Sequence, residues 1–338
     1  MTFPLLHTPL LCIERILLQL ITPEQIVFSF ISKQSYKMIQ KLKNTLMGID
    51  IHRANGWFLV RFKSGDSGNN YTYWSVNRKH KVQPRFSFTL KIEEQRLESC
   101  LTRTSLCSQT EKNENELAEQ LVIPYLLKLL KTTVLTVVLE HEGLEPPFLN
   151  GFSELQTVVI IGKKVMKNTD LREFIMNTPI SERLMIQTPT RKDFYVDPIH
   201  IKSKDFIVRN VSSPWITRDI FMGLTCDNIQ LSGSPLTSRD FYSFVQRWFY
   251  SDNTTFYYLY LAAIDVLPLD LSEFNAKPWC QKERSQGYKY GHTVMDFADA
   301  QDITRSDGLL ASVLIDGNKL SFSVWHTRFP DIAGCKVV

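Results

Sequence analysis

The hydrophobic residues of the first segment recur at the spacing of an amphipathic helix. A helix that begins after Pro9 gathers one apolar stripe, namely Leu10, Ile13, Leu17 and Leu20. Further apolar residues of this helix lie off the stripe, namely Leu11, Ile16 and Leu18. A module of about 45 residues buries little surface by itself. We therefore expect a partner to cover its surplus apolar surface.

Two more helices are predicted before residue 46. Thr22 can accept a hydrogen bond from the backbone N–H of Gln25, whose side chain can return the bond, and Pro23 suits the first helical turn. Ser32 then begins a third helix, which carries a series of lysines, namely Lys33, Lys37, Lys41 and Lys43.

These three predicted helices resemble an F-box, in particular the nematode form that starts with Phe-Pro-Leu-Leu, here residues 3–6. The resemblance implies a three-helix F-box over residues 3–46 that binds the Skp-type adaptor of a cullin-based ubiquitin ligase. His7-Thr8 departs from the pattern, in which a leucine commonly precedes the proline. The residues that would lie on or support the adaptor-binding surface are Pro4, Leu5, Leu6, Pro9, Ile13, Leu17, Leu20, Pro23 and Ile26.

The F-box interpretation makes a structural prediction. A docking surface must remain open until its partner covers it. Leu5, Ile13 and Leu17 should therefore not be sealed by the rest of the chain.

The hydrophobic period changes to two in the next segment, which predicts antiparallel strands over residues 49–92, most clearly over 53–92. Phe58, Val60 and Phe62, for example, fall on one face. The stretch 93–115 is polar and rich in Ser, Thr and Glu, which predicts a flexible connection. A helix follows, and Pro124 is expected to kink or break it.

The chain then alternates short β-rich runs with helical segments. The runs are 134–139, 158–161, 184–186, 206–208, 229–231 and 258–261, and the helical segments are 169–177, 217–224 and 237–249. Their spacing, mostly about 22 to 25 residues and rising to about 30 at the end, resembles an irregular leucine-rich-repeat solenoid. An ordinary α/β sheet remains open as the alternative. Residues 116–204 form the first part of this α/β body.

The last third carries a second resemblance. Its motif is Thr237-x-x-Asp240-Phe241-x-x-Phe244-x-x-x-Trp248, followed by a hairpin over 309–325 with Asp316-Gly317 at its turn. Residues 205–325 are similar to the type-two F-box-associated domain of nematode F-box proteins. That resemblance implies a region that holds a degradation substrate, with no contact residues to transfer. Residues 326–338 are predicted to be a tail.

Composition and charge narrow the function classes. The chain has 338 residues, with 39 Lys and Arg against 35 Asp and Glu. This mild excess disfavours a dedicated nucleic-acid binder. The short basic runs, including 78–81, are typical of solvated faces. We expect no membrane span, because charged residues interrupt each apolar stretch, and an intracellular protein, cytoplasmic or nuclear, because the N-terminus lacks a secretory leader.

No catalytic motif emerges from the sequence. Gly162-Lys163-Lys164 lacks both glycine-rich phosphate-binding patterns, so no nucleotide cofactor is predicted. The six cysteines show no zinc spacing, so no metal is predicted, and Cys100 and Cys107 have no identifiable catalytic partner.

The sequence therefore predicts a non-catalytic α+β adaptor. Its predicted partners are a Skp-type protein, a cullin through that protein, and an unknown protein substrate. The alternative is a non-catalytic α/β protein-interaction domain whose N-terminal helices pack on its own body.

Overall fold

The computed structural model describes residues 9–42, 46–54, 57–64, 71–78, 88–110, 115–141, 154–209, 212–265, 267–291, 293–333 and 335–337. Within these residues the chain is a mixed α and β protein with seven α-helices. It divides into two compact units, Met1–Ile161 (unit 1) and Gly162–Val338 (unit 2). The domain boundary predicted at residues 204 and 205 falls between two paired strands of unit 2.

Unit 1 combines four helices with eight strands. The helices are α1 (Leu10–Gln19), α2 (Thr22–Ser29), α3 (Lys33–Lys41) and α4 (Asn115–Leu130). The strands are β1 (Leu46–Ala54), β2 (Trp57–Ser64), β3 (Thr72–Arg78), β4 (Phe88–Ile92), β5 (Gln95–Leu101), β6 (Ser105–Thr110), β7 (Val134–His141) and β8 (Leu155–Gly162). The strands lie in the order β8-β7-β1-β2-β3-β6-β5-β4.

The predicted antiparallel strands are present in unit 1. β1 pairs with β2 and β2 with β3, both antiparallel. Phe58, Val60 and Phe62 are buried, as the period-two pattern predicts. Burial of this alternating face holds the register, because a slip by one residue would turn the phenylalanines outward.

The flexible connection predicted for residues 93–115 is wrong. This stretch contains β5, β6 and the start of α4. Leu97 and Ser99 are buried and alternate with exposed residues, and the Ser99 hydroxyl lies 2.7 Å from that of Ser108. Small hydroxyl side chains that bond each other can occupy a buried face, so the polar composition concealed a strand.

The kink or break expected at Pro124 does not end the helix. α4 runs from Asn115 to Leu130 with Pro124 inside it. Pro124 is exposed, while Val122, Leu126 and Leu129 of the same helix are buried. Burial of the apolar face stabilises the helix on both sides of Pro124, which offsets the cost of a proline inside a helix.

Unit 2 begins with parallel pairing. Its helices are α5 (Asn168–Asn177), α6 (Arg218–Gly223) and α7 (Ser238–Phe249). Its strands are β9 (Ile180–Gln187), β10 (Asp205–Val208), β11 (Asn228–Leu231), β12 (Tyr258–Ala262), β13 (Lys277–Pro278), β14 (Gly287–Tyr290), β15 (Thr293–Asp296), β16 (Gln301–Thr304), β17 (Leu310–Asp316), β18 (Lys319–Val324) and β19 (Lys336–Val337). β9, β10, β11 and β12 pair in parallel, so the predicted alternation is confirmed here.

The parallel run of unit 2 ends at β12. β18 pairs with β12 antiparallel, and β17, β16 and β13 follow in that order. The β17–β18 hairpin turns at Asp316-Gly317, where Gly317 has φ of 56°, so the predicted hairpin is confirmed. β14, β15 and β19 form a separate sheet. The tail predicted for residues 326–338 is therefore wrong at β19, which pairs with β15.

Candidate protein-interaction surface

The exposed side of α1 is unusually apolar. Leu11 is 73% exposed, Ile16 45% and Leu18 44%, and Cys12 is also exposed. The opposite side holds Ile13 and Leu17, which are buried. Leu11 and Leu18 are seven residues apart and therefore share a face, whereas Ile16 lies on another side of the helix, next to the buried residues. We call Leu11 and Leu18 the α1 face.

The corner between α1 and α2 is held by side-chain hydrogen bonds. The Gln25 amide donates to the carbonyl oxygens of Leu17 and Leu20, each at 3.0 Å. Glu24 accepts from the backbone N–H of Ile21 at 3.0 Å. The Glu24 carboxylate therefore caps the N-terminus of α2. The Gln25 side chain bonds the C-terminal end of α1 and does not make the hydrogen bond that the sequence predicted between Gln25 and Thr22.

An aromatic cluster joins the first helices to α4 of the same unit. Phe30 stacks on Tyr125 with ring centroids 4.7 Å apart, and Tyr36 lies 5.8 Å from the same ring. The Ser29 hydroxyl lies 2.6 Å from the Tyr125 hydroxyl. Burial raises the pKa of the Tyr125 phenol, which therefore stays neutral at physiological pH. α2 also contacts β3 and β6.

The structure describes six of the nine predicted adaptor-binding residues, and these six differ in burial. Pro4, Leu5 and Leu6 lie outside the described residues, Pro9 is exposed and Leu20 is half-buried. The others are buried, namely Ile13, Leu17, Pro23 and Ile26. The expectation that Ile13 and Leu17 remain open is therefore wrong. Both face inward because the chain supplies its own apolar cover for the main stripe of α1.

Sequence reasoning detected the exposed apolar residues of α1 and predicted that a partner covers their surplus apolar surface. Leu11, Ile16 and Leu18 fall off the main helical stripe, which is the signal that identifies them. The nine-residue set omitted them because it followed the F-box pattern.

The parallel strands of unit 2 carry a row of polar side chains. Arg183 on β9 donates to the Asp205 carboxylate on β10 at 2.6 Å. The Asn228 amide on β11 donates to the other oxygen of Asp205 at 2.7 Å. Phe206 and Ile229, the next residues along these strands, are fully buried. Because side chains alternate along a strand, the polar row lies on the other face of the sheet.

Among the described residues, no group of three or more His, Cys, Asp or Glu side chains is placed to hold a metal ion. Cys100 and Cys107 face each other across β5 and β6. Burial, followed by the neighbouring Cys107, raises the pKa of the Cys100 thiol. A raised pKa suppresses the thiolate, so Cys100 lacks the activation that a cysteine nucleophile requires.

No helix within the described residues is long and apolar enough to cross a membrane.

Comparison with known proteins finds distant nematode relatives. The chain is 22% identical over 199 residues to the uncharacterized protein F59B2.8 of Caenorhabditis elegans, a match that covers 54% of this chain and 44% of the relative. It is 20% identical over 221 residues to the uncharacterized protein F59B2.9 of the same organism, which covers 63% and 50%. The chain thus spans about half the length of these curated relatives. No family model and no solved structure matches the chain.

Proposed function

We propose that this chain is a non-catalytic protein-recognition subunit of a cullin-based ubiquitin ligase. Its N-terminal helices bind a Skp-type adaptor through the α1 face, and its α/β body binds a protein target. In this function the chain performs no bond chemistry. It raises the concentration of the target near the ubiquitin-carrying enzyme.

The observation that carries this proposal is the α1 face. Leu11 and Leu18 stand in solvent on one side of this short helix, while Ile13 and Leu17 on the opposite side are buried. An amphipathic helix with an uncovered second apolar side fits into a hydrophobic groove of a partner. The F-box resemblance of residues 3–46 indicates a Skp-type adaptor as that partner, bound through the exposed α1 face because Ile13 and Leu17 are buried and cannot make the contact. The nematode relatives accord with the nematode form of the pattern.

The test is co-purification of the full chain with a Skp-type adaptor. Leu18→Asp places a charge on the α1 face, and burying an unpaired carboxylate on binding costs more than the roughly 2–7 kcal/mol of an unpaired neutral polar group. We expect this variant to lose the adaptor while its circular dichroism melting curve stays close to wild type. Leu17→Asp is unsuitable, because Leu17 is 1% exposed and its substitution would disrupt the fold itself.

Ile264→Asp supplies the matched control, because Ile264 is 68% exposed and lies in unit 2. It should leave adaptor binding unchanged. Equal retention of the adaptor by Leu18→Asp and wild type would reject the proposed contact.

A second candidate function is favoured by the Tyr125 cluster. Here the N-terminal helices pack on their own unit, through Ser29 and Phe30, and the chain is a free-standing protein-interaction domain. Alkylation of Cys12 separates the two functions, because Cys12 is exposed on α1. An added Skp-type adaptor should protect Cys12 under the first function and leave it reactive under the second, with exposed Cys280 as the internal reference.

A further inference from the structure

Unit 1 contains an open groove between α3, α4 and the β4–β5 hairpin. Its volume is about 670 Å³, which lies within the roughly 300–1,000 Å³ typical of ligand pockets. Its walls come from three separate elements, so residues distant in the sequence meet there. It shares no residue with the α1 face.

The rim of this groove is basic. Among the residues that the structure describes, four lysines line it, namely Lys33, Lys37, Lys91 and Lys128, and Glu93 is the one acidic side chain. Lys33, Lys37 and Lys128 are exposed and form no ion pair with any described residue, whereas Lys91 lies 3.4 Å from Glu94. The groove therefore presents uncompensated positive charge, which attracts an anionic ligand.

The floor of the groove is apolar and aromatic. It includes Phe30, Tyr36, Leu121, Pro124 and Tyr125. Stacking of Phe30 on Tyr125 and the hydrogen bond between Ser29 and Tyr125 hold these rings in place. A fixed apolar floor below flexible cationic side chains accepts a ligand that has both an apolar residue and negative charge.

A small free anion fits this arrangement poorly. Phosphate sites use converging donors, often the first N–H groups of a helix. At the start of α3, the Ser32 hydroxyl already accepts from the Ser35 N–H at 3.0 Å. The lysines stand on three elements around the floor rather than at one point, a spacing that suits the carboxylates of an extended chain.

We propose that this groove binds an acidic peptide segment of a partner protein, with one apolar residue on the aromatic floor and carboxylates beside Lys33, Lys37 and Lys128. This goes beyond the proposed adaptor contact, since either surface can be occupied without the other. A short acidic sequence in a partner would thereby be recognised next to the N-terminal helices.

Fluorescence anisotropy on the full chain tests this site. The probe is a fluorescein-labelled peptide of glutamate and aspartate with one central leucine. We expect Lys33→Glu/Lys37→Glu to weaken its binding at least about tenfold, and binding to weaken as salt rises. Lys41→Glu is the matched control, because Lys41 is exposed on the same helix but does not line the groove. It should change the affinity less than about twofold.

Each control outcome decides the proposal. Unchanged binding to Lys33→Glu/Lys37→Glu overturns it, as does an equal loss in Lys41→Glu, which would indicate unspecific charge attraction. A peptide with serine in place of leucine should bind more weakly. Equal binding of that peptide, together with its displacement by inorganic phosphate, would indicate a small-anion site and overturn the assignment to a peptide.

Discussion

At the scale of single residues, the cysteines differ in burial and therefore in expected reactivity. Cys12 and Cys280 are exposed, whereas Cys226 is 5% exposed. Burial raises the pKa of the Cys226 thiol to about 12, with nearby carboxylates adding to the rise. Because the thiolate is the reactive form, Cys226 stays protonated until the pH approaches that value.

We therefore predict that iodoacetamide labels Cys226 at least about a hundredfold more slowly than Cys280 at about pH 8 in the native protein. Mass spectrometry of digested samples measures both rates. In urea the two rates should converge, since the burial that raises the pKa is then lost. Rapid labelling of Cys226 in the native protein would show that its surroundings open to solvent.

The sequence predicts which residues form an apolar stripe, but it does not predict what buries that stripe. The spacing of Ile13 and Leu17 predicts one apolar stripe, and the structure has that stripe. Spacing alone does not tell whether the same chain or another protein covers a stripe. Burial of Ile13 and Leu17, like the hydrogen bonds of Gln25 to the end of α1, arises only when the chain folds.

At the scale of elements, the Tyr125 cluster joins the end of α2 and the start of α3 to α4. Tyr125→Ala removes the ring that stacks on Phe30 and leaves a cavity, which should lower the free energy of unfolding by about 3 kcal/mol. Tyr125→Phe removes only the hydroxyl that pairs with Ser29, which should cost about 1 kcal/mol. Urea unfolding followed by circular dichroism gives both values. Equal small effects would mean that the ring contributes little to the packing.

The same substitutions bear on the groove in unit 1. Tyr125→Phe keeps the aromatic floor and should retain the acidic peptide, whereas Tyr125→Ala should weaken its binding. Anisotropy with the labelled peptide measures this difference. It separates the role of the ring from that of the hydroxyl.

Elements with strong local signals were predictable from the sequence. The Thr237 hydroxyl and backbone N–H both bond the Asp240 carboxylate at 2.9 Å, as the motif at the start of α7 indicates. Ser32 begins α3 as predicted. β5 and β6 were missed because their inward side chains include Ser99 and Ser108, which composition marks as loop residues. Their pairing is a tertiary effect that no local propensity contains.

At the scale of the whole molecule, alternation of strands and helices was readable but the partners of the strands were not. β9 to β12 follow the predicted order, whereas β18 joins β12 from far along the chain. The two compact units also have no composition signal at Ile161. Long-range strand pairing depends on which apolar faces pack together in the folded chain. The local hydrophobic pattern does not specify this, because many sequences with different folds share the same local pattern.

Unit 2 has a buried ionic network of its own. Arg284 is fully buried and donates to the Asp302 carboxylate at 2.8 Å, and its guanidinium lies 4.6 Å from the centre of the Trp325 ring. Ser312 donates to the same carboxylate at 2.6 Å and accepts from the Trp325 indole at 2.7 Å. Arg284 and Asp302 neutralise each other, so loss of either one leaves a buried charge without its ionic partner.

We predict that Arg284→Ala lowers the stability of unit 2 by about 3–5 kcal/mol, because Asp302 would remain buried and unpaired. Arg328→Ala is the control, since Arg328 forms a looser, more exposed pair with Glu283 at 3.6 Å, and we expect a loss of at most about 1 kcal/mol. Hydrogen exchange should show β16 and β17 losing protection in Arg284→Ala while β2 and β3 of unit 1 keep theirs. Equal loss in both units would show that the network supports the fold of the entire chain rather than one compact unit.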